Sequence, residues 1–559
     1  MRPSLKTLVL AVAVLLLRTE PVFPAEPADL VVQNANVYTV NVKKPHATAF
    51  AVRGRTFVAV GTDDHIKPLI GPDTKRLDLG GRTVVPGFID AHAHPRQAFA
   101  PDSRWYSVEL GPTAVKSIDE LVAALRRKAE ITPAGQPVNG FGYHETKLGR
   151  HPNRYDLDKA STTHPIMISH SSGHLSVCNS WALDRAGVNR QTPDPPGGRF
   201  GREAAGEPTG LLEESAAGRV RQALPRGGGA TDEESIAAYC TNFRAFVSQG
   251  ITGMHVAGTE LATARLLARA RETVPIRLAL MLREAAIPEA VRRKRAMAPG
   301  EAGVRYGAIK IFHGNSLSGQ TCWLYEPYAH DKNYFGIPPA RSQAALDQLI
   351  LKIHDAGLQA CVHTNGDREI DMVLDAFEAA LAKSPRTDHR HRLEHCSVVN
   401  ERIVQRIKRL SLVVAPQSYI YEHGDKLDNF GVGRWDWMFA ARSLIEAGVP
   451  IAGTSDYPVS RAEPLLHLQD MVTRTSAEGK VYGPKQRTTL EQALYVWTMG
   501  GAFASFEDGV KGSIEPGKLA DFVVLSADPA QGNPLAIKDI PVDLTVIDGK
   551  VVYQRGPSQ

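Results

Sequence analysis

The feature that most constrains this chain is an alternation through its middle. Short apolar runs are separated by helical patterns, and a histidine, lysine or aspartate closes run after run. Eight of the runs read as strands: "TVVPGFIDAHAH", "GITGMHVAG", "IRLALMLRE", "GAIKIFHG", "LQACVHTNGD", "HRLEHCSVV", "SLVVAPQ" and "VPIAGTSD". Between them lie stretches such as "ARSQAALDQLILKIHDAG" and "REIDMVLDAFEAALAK", whose apolar residues recur at helical spacing. Strands alternating with helices imply parallel pairing, and eight such units close into an α/β fold, the TIM (β/α)8 barrel. A ninth candidate, "HPIMISHSSGH", falls between the first and second. The stretch from Pro95 to roughly Gly250 far exceeds the about 2–6 residues of an ordinary βα loop. It predicts an inserted subdomain after the first barrel strand, about 95–250, carrying its own strand and set over the barrel mouth.

The two ends have a different texture. "DLVVQNANVYTV", "ATAFAVRGRTFVAVG" and "RLDLGGRTVVPG" read as short β-segments with glycine turns, and "KLADFVVLS" and "DLTVIDGKVVYQRG" repeat the pattern at the far end. One small β-domain built from both termini, 26–86 plus 511–559, is expected around a barrel spanning 87–510.

At 559 residues the chain can bury a large core, and its 43% hydrophobic and 22% charged content is ordinary for a globular protein. The net charge of +5 comes with no basic block interleaved with aromatics, so nucleic-acid binding has little support. The run Arg292-Arg293-Lys294-Arg295 reads as the solvated face of a helix. Arg2 and Lys6 precede an apolar run, Leu8 to Leu17, and a small-residue site near Ala25. That is the layout of a secretory signal peptide over 1–25, and it predicts an exported protein, periplasmic or secreted, with no membrane insertion after signal removal. The five cysteines, 178, 240, 322, 361 and 396, lack CxxC spacing. Their odd number leaves at least one free thiol, and they read as small buried apolar residues.

In "PGFIDAHAHP", Asp90, His92 and His94 share one face of an extended strand. Two imidazoles aimed the same way can grip one Zn²⁺ at about 2.0–2.1 Å each, although a lone HxH more often packs or hydrogen-bonds. His363, His395 and Asp456 each close another short strand, and in a TIM barrel all these ends meet on one rim. Four histidines and an aspartate brought to one rim point to a metal centre. Lys310 sits at the equivalent point of "AIKIF", with Ile309 and Ile311 projecting to the opposite face. An ammonium has no lone pair. Burial beside cations lowers a lysine pKa by up to about 3–5 units, and the neutral amine can ligate a metal or take up CO₂ as a carbamate able to bridge two. Snorkelling to solvent and an ion pair are the alternatives.

These residues resemble the amidohydrolase superfamily, and within it the amidohydrolase-3 branch that includes the YtcJ-like proteins and N-substituted formamide deformylase. The resemblance runs over essentially the whole chain beyond residue 25. It rests on the order HxH, lysine, histidine, histidine, aspartate (His92, His94, Lys310, His363, His395, Asp456), on "FVAVG" through "VVPGFIDAHAHP", and on "GSIEPGKLADFVVL". It implies a β-sandwich built from both ends, one or two divalent ions, most simply zinc, held by those six residues, and a carbamylated Lys310. "RHPNRYDLDKASTTHPIMISHSSGHLSVCNSWALDRAGV" is similar to the branch's segment with a substrate-facing histidine and an Asn-Ser pair, here His174, Asn179 and Ser180. Two departures stand out. His313-Gly314-Asn315-Ser316 replaces the common Asp-Gly-Ser, and Ser172-Gly173-His174 replaces Asp-Gly-His, which makes the pocket less acidic.

The implied activity is hydrolysis of a non-peptide C–N bond in a small amide, an N-substituted formamide or N-acyl amine, by a metal-activated hydroxide. Asp456 would shuttle the proton, with His174 as a second catalytic group stabilising the oxyanion. His174, Asn179, His313, Asn315 and Trp323 would face the substrate, with Tyr325 and Tyr328 as wall or packing. His144 and Glu145 form a weaker pair, expected at the surface. A deaminase or cyclic-amidine hydrolase on the same metals, or a barrel that binds without catalysis, are the competing readings. A homodimer stays open.

Overall fold

A computed structural model of the chain describes residues 26–225, 228–296 and 303–556, so the signal segment at 1–25 lies outside the described residues. Seven parallel strands lie side by side in chain order: Phe88–Ala93, Ile251–Thr259, Arg277–Arg283, Val304–Phe312, Gln359–Thr364, Arg392–His395 and Val413–Ala415. The eighth run closes the barrel without forming a regular strand. Ala452 N–H donates to Val414 O at 3.0 Å on one side, and on the other Ala91 N–H donates to Gly453 O at 2.8 Å and Asp456 N–H to His92 O at 2.9 Å. Gly453 explains the irregularity. Its N–H is turned to Val496 O, and a Cβ there would stand 2.6 Å from the Trp497 indole nitrogen.

The period-two reading of the lysine strand places its side chains. Ile309 and Ile311 pack with Ile350, Val362 and Leu374 in the layer between strands and helices, so Lys310 faces the barrel interior, 1% exposed. Of the basic run, Arg292 and Arg293 lie on the helix Ile287–Ala296 and pair with Glu289.

Beneath the fifth and sixth strands, three buried histidines form a chain of hydrogen bonds. Ala360 N–H donates to His391 Nδ1 at 3.0 Å, so His391 Nε2–H donates to His354 Nδ1 at 2.9 Å and His354 Nε2–H to Ser384 O at 2.6 Å. His391 N–H donates to His389 Nδ1 at 3.0 Å, and His389 Nε2–H reaches Leu410 O at 3.1 Å. Every ring is thereby a neutral Nε2–H tautomer. Burial pushes His389 down to about 4 and His391 well below the usual histidine range.

Both ends of the chain form a sandwich of two sheets. One holds Leu30–Gln33, Ala49–Arg53, Thr56–Gly61 and Lys75–Asp78. The other joins Asn36–Tyr38, His46–Ala47 and Thr83–Pro86 to Phe522–Leu525, Val542–Ile547 and Lys550–Gln554. Phe50, Phe57, Val84, Phe522 and Val546 fill the space between them. A buried ion triad bolts sandwich to barrel: Arg277, at the start of the third strand, donates to Asp521 at 2.6 and 2.7 Å and to Asp548 at 2.6 Å.

The inserted region carries more structure than a single strand. It is a six-stranded sheet in the order Gly198–Arg202, Pro208–Glu214, Leu175–Cys178, Ile166–His170, Val138–Tyr143, Val108–Glu109. The turn between Ile166–His170 and Leu175–Cys178 carries Ser171 to His174. All five cysteines are buried and unpaired, and among the described residues no helix is long and apolar enough to cross a membrane.

Candidate metal centre

His92 and His94 end the first strand, and their inner ring nitrogens are both committed. His92 Nδ1 lies 2.5 Å from Glu394 Oε2, and His94 Nδ1 lies 3.0 Å from Ala257 O. Each oxygen accepts, so each Nδ1 carries hydrogen and each Nε2 is the ring nitrogen left to face the site. Those Nε2 atoms stand 3.6 and 3.3 Å from Asp456 Oδ1, and Lys310 Nζ is 3.0 Å from His92 Nε2. The rings of His363 and His395 are 4.6 Å apart, and that of His395 is 4.8 Å from His92. His363 Nε2 lies 3.2 Å from both Asn315 O and Asn365 Nδ2.

Ligand atoms of His92, His395 and Asp456 lie within 4.8 Å of one another, and the buried Nδ1 of His395 has no hydrogen-bond partner. Asp456 Oδ1 and the histidine ring nitrogens face a common point, and a cation there would satisfy these donor atoms together. The donor set therefore fits a divalent metal of the kind that takes imidazole and carboxylate ligands. Electrostatics lean the same way. Burial first, and neighbouring cations second, push His92, His363 and His395 well below the usual histidine range, and burial pulls Lys310 down to about 8 despite Glu394 and Asp456. All four are shifted toward the neutral, lone-pair form.

The backbone is also specialised here. His395, Cys396 and Asp456 adopt φ of 68°, 47° and 54°, a left-handed conformation that costs about 1–3 kcal/mol per non-glycine residue and collects at functional sites. Asp456 Oδ2 accepts from Gln417 Nε2 at 2.6 Å, so Oδ1 is the oxygen turned to the histidines. Asp90 is a tie and not a ligand: it accepts Ser455 N–H at 3.1 Å and Oγ–H at 2.5 Å, joining the first strand to the closing segment.

The support beneath the ligands escaped the sequence reading. Glu394, which holds His92, is itself held by Arg392, whose guanidinium lies 2.8 and 2.9 Å from the two carboxylate oxygens. Arg392 also donates to Ala91 O at 2.7 Å and to His255 Nδ1 at 2.8 Å. The signal was present in "RLEH": alternation puts Arg392 and Glu394 on the face opposite Leu393.

A cavity of about 370 Å³ opens above the centre. His94, Lys310, His363, His395 and Asp456 line its floor, and the insertion supplies a wall from Phe141 and from Ser169 to His174. His174 is in place, with Nδ1 held 2.7 Å from Glu214 Oε2. Burial opposes its protonation, but Glu214 outweighs burial and raises it above the usual histidine value. Glu214 was not read from the sequence.

Four expected substrate contacts do not reach this cavity. Asn179 caps the helix Ser180–Arg185: its Oδ1 accepts Ala182 N–H at 3.2 Å and Ile166 N–H at 3.1 Å, and its Nδ2 donates to Ser161 O and His164 O. Lys310 and Phe312 take the cavity side of their strand, so His313 turns away and is buried beside Arg341, pushed down to about 4 by burial and that charge. Gly314 follows at φ 87°, where a Cβ would stand 2.3 Å from Glu369 Oε2. Glu369 then gathers the N–H groups of Asn315 at 3.0 Å, Trp323 at 2.7 Å, Asn365 at 3.1 Å and Gly366 at 3.1 Å. Asn315 and Trp323 are thus held as loop scaffold, with Arg368 stacked 3.7 Å over the Trp323 ring. Tyr325 OH donates to Asp371 at 3.0 Å, and Tyr328 is core.

His144 and Glu145, expected at the surface, are buried. Glu145 bonds His170 Nε2 at 2.6 Å and pairs with Lys426, and His144 Nε2 meets His423 Nδ1 at 3.1 Å. The pair clamps the insertion to the segment after the seventh strand.

A TIM barrel whose strand ends gather four histidines, a lysine and an aspartate defines a class, the barrel-based metal-dependent hydrolases. Residues 75–553 match the amidohydrolase family, and the chain belongs to it. It is 30% identical over 546 residues to N-substituted formamide deformylase of Arthrobacter pascens, covering 94% of this chain and 98% of that one. It is 29% identical over 534 residues to the YtcJ protein of Bacillus subtilis (strain 168), covering 93% and 98%. A solved structure of an uncharacterized metal-dependent hydrolase from Pyrococcus horikoshii shares the fold at a TM-score of 0.69 and 22% identity, over 91% of this chain and 99% of that one.

Proposed function

We propose that the protein hydrolyses the C–N bond of a non-peptide amide, an N-substituted formamide or N-acyl amine, using one or two divalent ions held by His92, His94, Lys310, His363, His395 and Asp456. The observation that carries this reading is the convergence of the His92 and His94 Nε2 atoms on Asp456 Oδ1, at 3.6 and 3.3 Å, on the floor of a cavity. Zinc suits the imidazole-rich set, and such ions, when bound, acidify water and polarise a carbonyl. Lys310, drawn toward its neutral form, adds to CO₂ through Nζ with loss of one proton, and the resulting carbamate supplies two anionic oxygens.

Asp456 takes the proton of the attacking water on Oδ1 while Gln417 holds Oδ2, then returns it to the leaving nitrogen, so that an amine and a carboxylate are released. His174, its Nδ1 fixed by Glu214, keeps Nε2 as the ring nitrogen for the carbonyl oxygen as charge builds there. The 30% identity to a formamide deformylase across both chains supports an amide over an amino-heterocycle as substrate. Export through the N-terminal segment belongs to the same proposal.

The test is a panel of N-formyl, N-acetyl and N-aminoacyl amines beside amino-heterocycles, scored separately for amine and ammonia, on protein whose metal content is measured. Amine release from an amide, with one to two equivalents of a divalent ion, is expected. Ammonia from amino-heterocycles alone would make it a deaminase, and a fully active metal-free preparation would overturn the scheme.

A further inference from the structure

Arg96 follows the paired histidines by two residues and lines the same cavity as His94, Lys310 and Asp456. Its backbone N–H donates to Asn242 Oδ1 at 2.8 Å, and Asn242 is buried and reaches Tyr457 OH, so the chain leaving the first strand is fixed. The guanidinium carbon stands 3.3 Å from the centroid of the Phe141 ring, on the insertion wall. Stacking of this kind orients the plane and leaves the N–H edge for a ligand; it does not cancel the charge.

Among the described residues no carboxylate pairs with Arg96, and Glu109 acts on it only through space. The carboxylate that lines the cavity, Asp456, is occupied by the histidines and Gln417. Buried Arg474 is satisfied by backbone carbonyl oxygens, and two other buried arginines are given carboxylates. Arg392 has Glu394, and Arg277 has Asp521 and Asp548. A planar, aromatic-backed fork of donors in a cavity matches a carboxylate in shape as well as charge.

We propose that Arg96 binds a carboxylate on the substrate, so that the preferred substrates are N-formyl or N-acyl amines whose substituent carries a carboxylate away from the scissile bond. The amide part of this statement rests on the proposed function; the carboxylate part stands on Arg96 alone. Ser172 belongs to the same wall and gives such an anion no repulsive neighbour.

N-formyl-phenylalanine, in both enantiomers, and N-formyl-phenethylamine differ only by a carboxylate. The metal-loaded protein should prefer one enantiomer of the acid by tenfold or more in kcat/KM, with the preference residing in KM. In R96Q the ratio between acid and neutral amide should fall at least tenfold, and in R96K most of it should return. R96M, which keeps length and stacking without charge, replaces R96Q if that variant does not fold. In parallel, thermal shifts with phenylacetate and phenylacetamide require no turnover. If neither amide is cleaved but phenylacetate stabilises the wild type and not the R96Q protein, the Arg96 assignment stands and the amidase reading falls. Equal stabilisation by the two ligands, or an acid preference unchanged in R96Q and R96M, overturns the assignment whatever the enzyme hydrolyses.

Discussion

Lys310 Nζ stands 3.0 Å from His92 Nε2, two groups that are both cationic when protonated, brought together where both side chains are buried. The His92 ring is committed by its other nitrogen, since Nδ1–H belongs to Glu394. Lys310 is therefore the donor to a lone pair, and Asp456 Oδ1 stands 3.6 Å from the same nitrogen. A carboxylate-like group on Lys310 would place oxygen ligands beside His92 for a bound ion.

Lys310→Ala should therefore lose metal. Measured by elemental analysis after desalting, occupancy should fall at least several-fold, and turnover with it. Formate, acetate or bicarbonate should restore both in part, because each supplies the missing oxygens. Indifference to the substitution and to the additives would return Lys310 to a structural role.

Asp456→Asn keeps the shape of the side chain and removes its basicity. Metal should be retained while kcat falls about 10²–10⁴-fold, the ordinary contribution of a placed acid–base group. Turnover at the wild-type level would show that another group moves the proton.

Glu394→Gln tests the layer beneath the ligands. Removing the negative charge of the acceptor that fixes His92 should weaken metal binding about 10–100-fold, read by competition with a chelator. It also strips buried Arg392 of its counter-charge, a change worth about 3–5 kcal/mol when one partner of a buried pair is lost. Both affinity and melting temperature should drop together.

Asn179→Ala separates scaffold from substrate contact. A lost helix cap lowers stability by about 0.5–2 kcal/mol, so the unfolding midpoint should move while KM stays within twofold. A KM change with unaltered stability would restore Asn179 to the substrate site.

The histidine chain under the barrel makes stability depend on pH. His389 is drawn down to about 4 from an ordinary 6.5, so between those values the unfolded chain binds more protons than the folded one. Stability therefore rises with pH across that window and is lost as pH falls from about 6.5 to 4, at most about 1.4 kcal/mol per pH unit for each such histidine. Melting curves at pH 7.5 and 5 in a chelating buffer should show the fall, with a shallower slope for His389→Gln.

The barrel was legible because its signal is periodic: Ile309 and Ile311 against Lys310 declare an inside and an outside, and the same holds at each ligand strand. What alternation could not report is distance. Arg392 and Glu394 lie in a stretch that displays them openly, yet only the pairing of the first and sixth ligand strands across the barrel reveals that Glu394 holds His92. Asn179 shows the reverse failure. An asparagine before "SWALDR" carries an ordinary helix-start signal, which the resemblance overrode. His313 and Asn315 misled for a steric reason: Gly314 turns the chain onto Glu369, and that turn takes both side chains away from the cavity.

The sheet that interleaves Thr83–Pro86 with Phe522–Leu525 bears on how the protein is made. During synthesis, residues 83–86 leave the ribosome more than four hundred residues before the strand that will cover their edge, and His92 precedes Asp456 by nearly as much. A chain stalled between Asp456 and Phe522 carries all six ligand residues but an open sheet edge, the ordinary mark by which quality control recognises unfinished proteins. Hiding that edge waits on Phe522–Leu525, so a copy that stops short of them leaves it open.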